Sequence, residues 1–127
     1  MEEIYNRFSK DRFAKMCGME IEEISEGYAR TSMLVEDRHL NGVDIAQGGA
    51  IFTLADLAFA CASNSHGPVA VSINISVSFL KAVGAGERLV AEAKEISLHK
   101  RLGVYEIEVR SGEDLVAKLT GTVYRRT

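Results

Sequence analysis

Residues 50–64 have the sequence AIFTLADLAFACASN, and this stretch decides the fold class. It contains no glycine or proline, and Asp56 carries its one charge. Apolar residues occupy nearly every side of the helix it would form, which is typical of a helix buried all round. Residues 65–68, Ser-His-Gly-Pro, follow it with two residue types that favour a helix C-terminus. The stretch therefore predicts one buried helix of about four turns.

The segment after this helix has the strongest strand pattern in the chain. From Val69 to Phe79, apolar residues at odd positions alternate with alanine, serine and asparagine at even positions, which is the period of a β-strand. One or two short amphipathic helices are expected within residues 2–16. Further strands are predicted as a hairpin between 19 and 36 and as segments at about 87–98, 102–110 and 115–125. The fold class is α+β, with an antiparallel sheet of five to six strands around one long helix.

A helix that is apolar on every side needs a cover on every side. A curved sheet can cover one side of it, and a second copy of the chain is the simplest cover for the other. We therefore expect a homodimer with the two helices side by side. A dimer of dimers is a further possibility that the sequence leaves open.

Composition narrows the class of protein. The chain has 127 residues and a net charge of −3, without runs of like charge, so we expect one domain spanning 1–127 that binds neither nucleic acid nor a membrane surface. The N-terminus lacks the apolar stretch of a secretory signal, and two cysteines, Cys17 and Cys61, make no disulfide framework, so a cytoplasmic location is expected. The widely spaced His39, His66 and His99 predict no metal site and are expected on the surface or in loops.

A polar stripe on the helix is the first candidate for chemistry. At 100° per residue, Thr53, Asp56, Ala60, Ser63 and Asn64 fall within about 100° of one another. An ionised carboxylate in such an apolar setting must be paired, hydrogen-bonded or protonated, and burial raises its pKa. Asp56 is therefore a candidate functional residue, the alternative being a structural hydrogen bond to a loop or a partner chain.

The residues before the helix are the second candidate. Gly48 and Gly49 would leave backbone N–H groups free at the positive end of the helix, where an anion or a developing oxyanion can bind. Gly48 and Asp56 are eight residues apart, or about 12 Å along a helix, so one acyl carbonyl is not expected to meet both in the same chain. Antiparallel packing of two helices would place each N-terminus near the Asp56 of its partner, giving two composite sites in a dimer.

The motifs His39-Leu-Asn-Gly42, Gln47-Gly-Gly49, Thr53-Leu-Ala-Asp56 and Phe79-Leu-Lys81 together resemble the hotdog-fold thioesterases of the PaaI-like, phenylacetate-degradation type. The resemblance implies a hotdog fold and hydrolysis of an aryl- or medium-chain acyl-CoA, with no cofactor besides the coenzyme A of the substrate. It implies that the Gly48 amide polarises the thioester carbonyl, that Asp56 is nucleophile or general base, and that Asn41 helps position the thioester. Substrate contacts are expected from Gln47, Gly49, Ser72, Asn74 and Lys81.

Two positions depart from the family pattern. Gln47 stands where the family usually has histidine, so proton transfer at that position is lost although hydrogen bonding is retained. Ala60 stands where some relatives have a hydroxyl that orients water, and Ser63, Ser72 or Asn74 are candidates to replace it. These departures keep a rival hypothesis open, that of a non-catalytic acyl-CoA or small-ligand binding protein. A hotdog dehydratase and a purely structural dimer are weaker rivals.

The substrate's other groups also need contacts. Lys81 and the pair Lys100 and Arg101 are candidates to receive the phosphates of coenzyme A. The acyl group is expected in a pocket between helix and sheet, lined by Tyr28, Phe52, Leu57 and Phe59.

Overall fold

The computed structural model describes residues 1–126 and contains three α-helices and six strands. A short 3-10 turn, Asp37–His39, precedes the longest helix. The helices are α1 (Glu2–Phe8), α2 (Arg12–Met16) and α3 (Gly48–Asn64). The strands are β1 (Glu20–Ser25), β2 (Tyr28–Leu34), β3 (Ala70–Phe79), β4 (Arg88–Leu98), β5 (Leu102–Ser111) and β6 (Asp114–Arg125). The six predicted strands and the short N-terminal helices are all present, within one or two residues of the expected bounds.

All six strands form one antiparallel sheet in the order β1-β2-β4-β5-β6-β3. Helix α3 packs against the sheet, and ten of its seventeen residues are buried. It begins two residues earlier than the sequence predicted, because Gln47 caps it and both following glycines take helical positions. Among residues 1–126, no helix combines the length and the apolar character that crossing a membrane requires.

One tight contact of the core joins α3 to β5 and β6. Phe59 is 1% exposed, and its ring lies 5.6 Å from the ring of Tyr105, centroid to centroid. Gly121 of β6 faces the same ring. This filled space is where the sequence placed an acyl pocket, so that prediction is wrong: Phe59 fills the gap between helix and sheet.

Substituting Gly121→Ala should destabilise the protein. The added Cβ would lie 2.6 Å from Cε2 of Phe59, a distance that forces the ring or the strand to move. Overpacking of this kind costs about 1–3 kcal/mol, which would appear as a lower midpoint in urea denaturation. Gly84→Ala is the matched control, because nothing lies within 4 Å of its added Cβ. Equal midpoints for the two variants would contradict the tight contact.

Strand β3 forms one edge of the sheet, and apolar side chains are exposed along its first half and just before it. Val69, Val71 and Ile73 are 39%, 48% and 58% exposed. A β-bulge at Ile73 interrupts the pairing with β6, so that Ser72 lies opposite Val123 and Asn74 lies opposite Thr122. The apolar odd-numbered positions therefore face α3 only from Ile75 onward, and not along the whole strand as the alternation predicted.

Candidate active site

The N-terminus of α3 has one free amide and one capped amide. Gln47 has an extended backbone (φ −64°, ψ 138°), and its side-chain Oε1 accepts a hydrogen bond from the Gly49 N–H at 3.1 Å. The carbonyl of Gln47 accepts from Ala50 at 2.9 Å. Within residues 1–126, the Gly48 N–H has no hydrogen-bond acceptor. The expectation of two free glycine amides is thus wrong for Gly49, because the Gln47 side chain already occupies that donor.

Replacing Gln47 with alanine should weaken α3. The substitution removes an N-cap acceptor, which typically lowers the free energy of unfolding by about 1 kcal/mol. A urea titration of Gln47→Ala measures this loss. Gln47→Asn is the comparison variant, because its shorter amide can still accept from a helix N–H. A Gln47→Ala variant as stable as the parent would show that the cap contributes nothing.

Asn41 shapes the loop that precedes α3. Its Oδ1 accepts hydrogen bonds from the N–H of Val43 at 2.9 Å and of Ile45 at 3.3 Å. Its backbone N–H also donates to the Ile45 carbonyl at 2.8 Å. The carboxamide oxygen therefore holds the loop closed, and the Nδ2 group is the part of this side chain left to donate to a ligand.

His39 anchors the same loop from inside. It is 4% exposed, its Nδ1 accepts from the Glu36 N–H at 2.9 Å, and its Nε2 lies 2.8 Å from the Cys17 carbonyl. These partners fix the neutral tautomer with the proton on Nε2. The His39 carbonyl accepts from the Gln47 N–H at 2.8 Å, which ties the loop to the start of α3. His39 thus lies in a loop, one of the two places expected, but not on the surface, because both ring nitrogens are used inside the fold.

Two cavities flank this loop, and Asn41 lines both. The first, of about 560 Å³, brings Asn41, Gln47 and Gly49 together with residues that the sequence did not single out. Those additional residues are Phe13, Cys17, Arg38, His39, Leu40, Gly42, Ala50 and Thr53. The second, of about 360 Å³, brings together Asn41, Gly48 and Lys81. It is completed by Ile45, Ala46, Ile51, Phe79, Leu80 and Ala82. The free Gly48 amide thus belongs to the second cavity.

Lys81 is held at the end of β3 by an ion pair. Its Nζ lies 2.5 Å from Oδ2 of Asp114, and its side chain is 49% exposed. The ammonium group therefore stands at the mouth of the second cavity with one acidic partner already in place.

Arg38 was missed by the sequence reasoning. Its guanidinium bonds the Glu36 carboxylate through Nη2 at 2.9 Å and the Met16 carbonyl through Nη1 at 2.5 Å. Arg38 directly precedes His39, the first residue of the His39–Gly42 motif, and this position in the sequence was the only indication that it would line the first cavity.

Asp56 lies halfway along α3 on a stripe that the chain leaves partly open. Its exposure is intermediate, as is that of Thr53 and Ala60, and Gly49 at the same helical spacing is exposed. Burial raises the pKa of the Asp56 carboxyl above its usual range, and the charge of Asp11 raises it further. Asp56 lines neither cavity of its own chain. Gly48 and Asp56 of one chain lie eight residues apart in the same helix, and they do not line a common cavity.

Ser63 and Asn64 do not belong to that open stripe. Both are 2% exposed. Asn64 donates from Nδ2 to the carbonyls of Ala60 at 2.9 Å and Ala70 at 3.1 Å, and accepts from the Ala70 N–H at 3.0 Å. Ser63 donates to the Ala60 carbonyl at 3.3 Å. Asn64 thus joins the end of α3 to the start of β3, and the Ser63 hydroxyl is bonded within α3, so neither side chain is free to replace a missing catalytic hydroxyl.

Ser72 and Asn74 lie on opposite faces of the sheet. Directly opposed residues of antiparallel strands share a face, and neighbours along a strand alternate. Ser72 therefore shares the helix-facing side with Val123, and Asn74 shares the outer side with Thr122. The alternation from Val69 to Phe79 predicts one face for both residues, and that prediction is wrong because the bulge at Ile73 reverses the alternation between them.

Other sequence-selected side chains serve the fold. Leu57 lines a separate cavity of about 240 Å³ beneath α1 and α2. Tyr28 donates to Oε2 of Glu92 at 2.5 Å on the outer face of the sheet. Cys61 is fully buried, and burial raises the pKa of its thiol to about 12, so it is a core residue and not a reactive thiol.

Comparison with known proteins gives the class. The family model "Thioesterase superfamily" matches residues 45–118, which include Gly48, Asp56 and Lys81. The acyl-coenzyme A thioesterase PaaI of Escherichia coli is 39% identical over 119 residues, covering 93% of this chain and 85% of that protein. The structure of E. coli PaaI superposes with a TM-score of 0.92 at 36% identity, over 96% of this chain and 89% of that one.

Two further structures extend the comparison. A mutant of the phenylacetic acid degradation protein PaaI from Thermus thermophilus gives a TM-score of 0.87 at 38% identity, covering 90% of this chain and 98% of that one. The protein smu.793 of Streptococcus mutans, solved bound to acetyl-CoA, gives a TM-score of 0.81 at 28% identity, over 85% and 88% of the two chains. This chain belongs to the PaaI-like hotdog enzymes of the thioesterase superfamily. The predicted family, hotdog fold and enzyme class are confirmed.

Proposed function

We propose that the protein hydrolyses the thioester of an aryl- or medium-chain acyl-CoA. The observation that carries the proposal is the unoccupied Gly48 N–H at the start of α3, which opens into a cavity beside Asn41 and Lys81. A helix N-terminus stabilises negative charge, and a fixed N–H donor there suits the oxyanion that forms during acyl transfer. The name of E. coli PaaI and the acetyl-CoA bound to the Streptococcus protein support an acyl-CoA as the substrate.

The active form in this proposal is a homodimer, with dimers of dimers as a possible larger assembly. One chain leaves the Gly49, Thr53, Asp56 and Ala60 stripe of α3 partly open, and it leaves the apolar edge of β3 unpaired. A second copy related by a two-fold axis would cover both surfaces at once. Asp56 of one chain would then approach the Gly48 amide of the other.

Asp56 supplies the basic or nucleophilic group. As general base it takes a proton from water, whose oxygen attacks the thioester carbon while the carbonyl oxygen becomes an oxyanion bound by the Gly48 N–H. Collapse breaks the C–S bond and releases the acid and the thiolate of coenzyme A, which then takes up a proton. As nucleophile, Asp56 would attack the thioester carbon and expel the thiolate of coenzyme A, and water would then hydrolyse the resulting acyl anhydride to the free acid and the Asp56 carboxylate. Its raised pKa makes it a stronger base than an exposed aspartate.

In this proposal the other residues bind the substrate and position its thioester group. The Nδ2 of Asn41 is free to donate to the thioester, and Phe79, Leu80 and Ile51 give the cavity the apolar lining that an acyl group requires. Lys81, with Gln47, Gly49, Ser72 and Asn74, remains a proposed substrate contact. The Gln47 amide transfers no proton at neutral pH, so this mechanism runs without a histidine at the helix entrance. Both cysteines are unbridged, which supports a reducing, cytoplasmic location.

A panel of acyl-CoA thioesters, followed by release of free thiol, tests the proposal. Turnover of aryl- or medium-chain substrates is the expected result. The rival is a non-catalytic acyl-CoA binding protein, which two departures favour: Gln47 cannot transfer a proton as the family's usual histidine can, and Ala60 lacks the hydroxyl of some relatives. Tight binding of acyl-CoA without thiol release across the panel would select that rival.

A further inference from the structure

Helix α2 is too short and too exposed to hold its position without help from other elements. It has five residues, of which Ala14 alone is buried. Isolated helices of this length are not stable in water, because one or two turns do not repay the cost of nucleation. Phe13 and Met16 are 55% and 64% exposed, so they add little packing against the core. The place of α2 must therefore be set by contacts with its neighbours.

Two adjacent side chains from the loop that precedes α3 hold the C-terminal end of α2. Arg38 donates from Nη1 to the Met16 carbonyl at 2.5 Å, and His39 donates from Nε2 to the Cys17 carbonyl at 2.8 Å. The last carbonyls of a helix have no partners within the helix, and these two side chains satisfy two of them. A Cβ at Gly18 would lie 2.5 Å from Arg38 Nη2, so the glycine after α2 leaves room for the guanidinium.

The same imidazole also closes the loop that leads to α3. His39 Nδ1 accepts from the Glu36 N–H at 2.9 Å, and the His39 carbonyl accepts from the Gln47 N–H at 2.8 Å. Gln47 directly precedes Gly48, whose N–H is the oxyanion donor of the proposed function. One ring nitrogen of His39 is thus bonded to the base of the loop and the other to α2. The ring is 4% exposed, and a buried polar group left without its partner is costly.

Both attachments of His39 affect the first cavity. Phe13 and Cys17 line this cavity from α2, and Asn41 and Gln47 line it from the loop. His39 lines it as well and is bonded to both walls. A displacement of α2 would change the width of the cavity, whereas a displacement of the loop would move Asn41 and the start of α3.

We propose that His39 is a positioning residue with two separable roles. Through Nδ1 it sets the loop that carries Asn41 and leads to Gly48, and through Nε2 it holds α2 as a movable wall of the first cavity. Arg38 acts with Nε2 in the second role. The effect on turnover rests on the proposed function, whereas the effect on the positions of α2 and the loop stands without it.

Two substitutions separate the roles, because each reproduces one ring nitrogen. In His39→Asn, Oδ1 lies as many bonds from Cβ as Nδ1 and can accept from Glu36, while the donor to Cys17 is lost. In His39→Gln, Nε2 can donate to Cys17, while the acceptor for Glu36 is lost. We expect His39→Asn to raise the KM for an acyl-CoA thioester by about tenfold with little change in kcat. His39→Gln should lower kcat by about tenfold with little change in KM, as for one lost buried hydrogen bond.

The cysteines provide a readout that does not depend on activity. Cys17 follows α2 with intermediate exposure, whereas Cys61 is fully buried, and burial raises the pKa of its thiol to about 12. A thiol reagent therefore labels Cys17 first. We expect labelling to be about tenfold faster in His39→Asn and as slow as in the parent in His39→Gln. Hydrogen exchange of the Gln47 amide reports on the loop and should be faster in His39→Gln only.

Arg38→Gln tests the hold on α2 without altering His39. It removes the donor to Met16, so labelling of Cys17 should be faster than in the parent. Arg30→Gln is the matched control, because Arg30 is also a half-exposed arginine paired with a glutamate, but it lies in β2 outside the first cavity. Labelling in this control should match the parent.

Two results would overturn the inference. One is equal labelling of Cys17 in Arg38→Gln and Arg30→Gln, which can be measured even if the His39 variants do not fold. The other is the same change in labelling and in Gln47 exchange in both His39 variants, because a ring with a single structural role would give that result. A parent that hydrolyses no acyl-CoA thioester would remove the proposed function, and the labelling and exchange rates would then decide on His39 alone.

Discussion

Asp56→Asn should lower kcat for acyl-CoA hydrolysis by about 10²–10⁴-fold, the range typical when a general base is removed. The amide keeps the shape of the side chain but neither accepts a proton nor attacks a carbonyl at neutral pH. Release of free thiol measures the loss under saturating substrate. Glu113→Gln is the matched control, because it removes an exposed carboxylate from the β5–β6 turn and should leave kcat unchanged. Full activity in Asp56→Asn would remove the carboxylate from the mechanism.

The same substitution should make the protein more stable at neutral pH. Burial and Asp11 raise the pKa of Asp56 in the folded state, so the folded chain holds the proton over a window in which the unfolded chain has lost it. Stability therefore falls as pH rises from about 3.9, the unfolded value, through the folded pKa of this group. Urea midpoints should be higher for Asp56→Asn than for the parent at pH 7, and this difference should shrink toward pH 3. A midpoint difference that stays constant with pH would contradict this linkage.

Gly48→Pro should reduce kcat by about 10²–10³-fold, because it deletes the one N–H proposed to bind the oxyanion. Proline is well tolerated at the first position of a helix, and the preceding Gln47 already has the extended backbone that proline requires. Gly48→Ala is the matched control. Its Cβ meets Phe79 Cζ at the same 3.2 Å while the N–H remains. The ratio of kcat between the alanine and proline variants isolates the hydrogen bond from the crowding, and a ratio near one would contradict the role of the amide.

The Asp56→Asn and Gly48→Pro variants together test whether the site is shared between chains. In a mixed dimer of Asp56→Asn and Gly48→Pro chains, one site combines an intact Gly48 with an intact Asp56 of the other chain. Co-expression should therefore restore activity that neither variant has alone. A site built within a single chain would leave every site in the mixed dimer with one defect, and no activity would return.

The sequence was most informative where pattern and burial coincide. The apolar stretch around Asp56 predicted the buried helix, and strand periodicity predicted all six strands, because both signals come from side chains that must leave water. The family resemblance depended on the spacing of Asn41, Gly48 and Asp56 and led to the hotdog fold and the enzyme class. None of these inferences required knowledge of side-chain partners.

The sequence-based predictions were wrong where a single hydrogen bond or packing contact, and not the residue pattern, decides the position of a side chain. The cap from Gln47 to Gly49 and the two bonds of His39 depend on side-chain directions that residue spacing does not encode. The acyl pocket was misplaced because only the approach of Gly121 to Phe59 shows that the space is filled.

The bulge at Ile73 also affects how β3 tolerates changes in length. Deleting residue 73 would restore regular pairing with β6, and the side chains on either side of it would keep the faces they already have. Deleting Val77 instead would turn Ser78 and Phe79 over, moving Phe79 away from Gly48. Residue 73 can therefore be removed without turning over the side chains at the Phe79 end of the strand, whereas Val77 cannot.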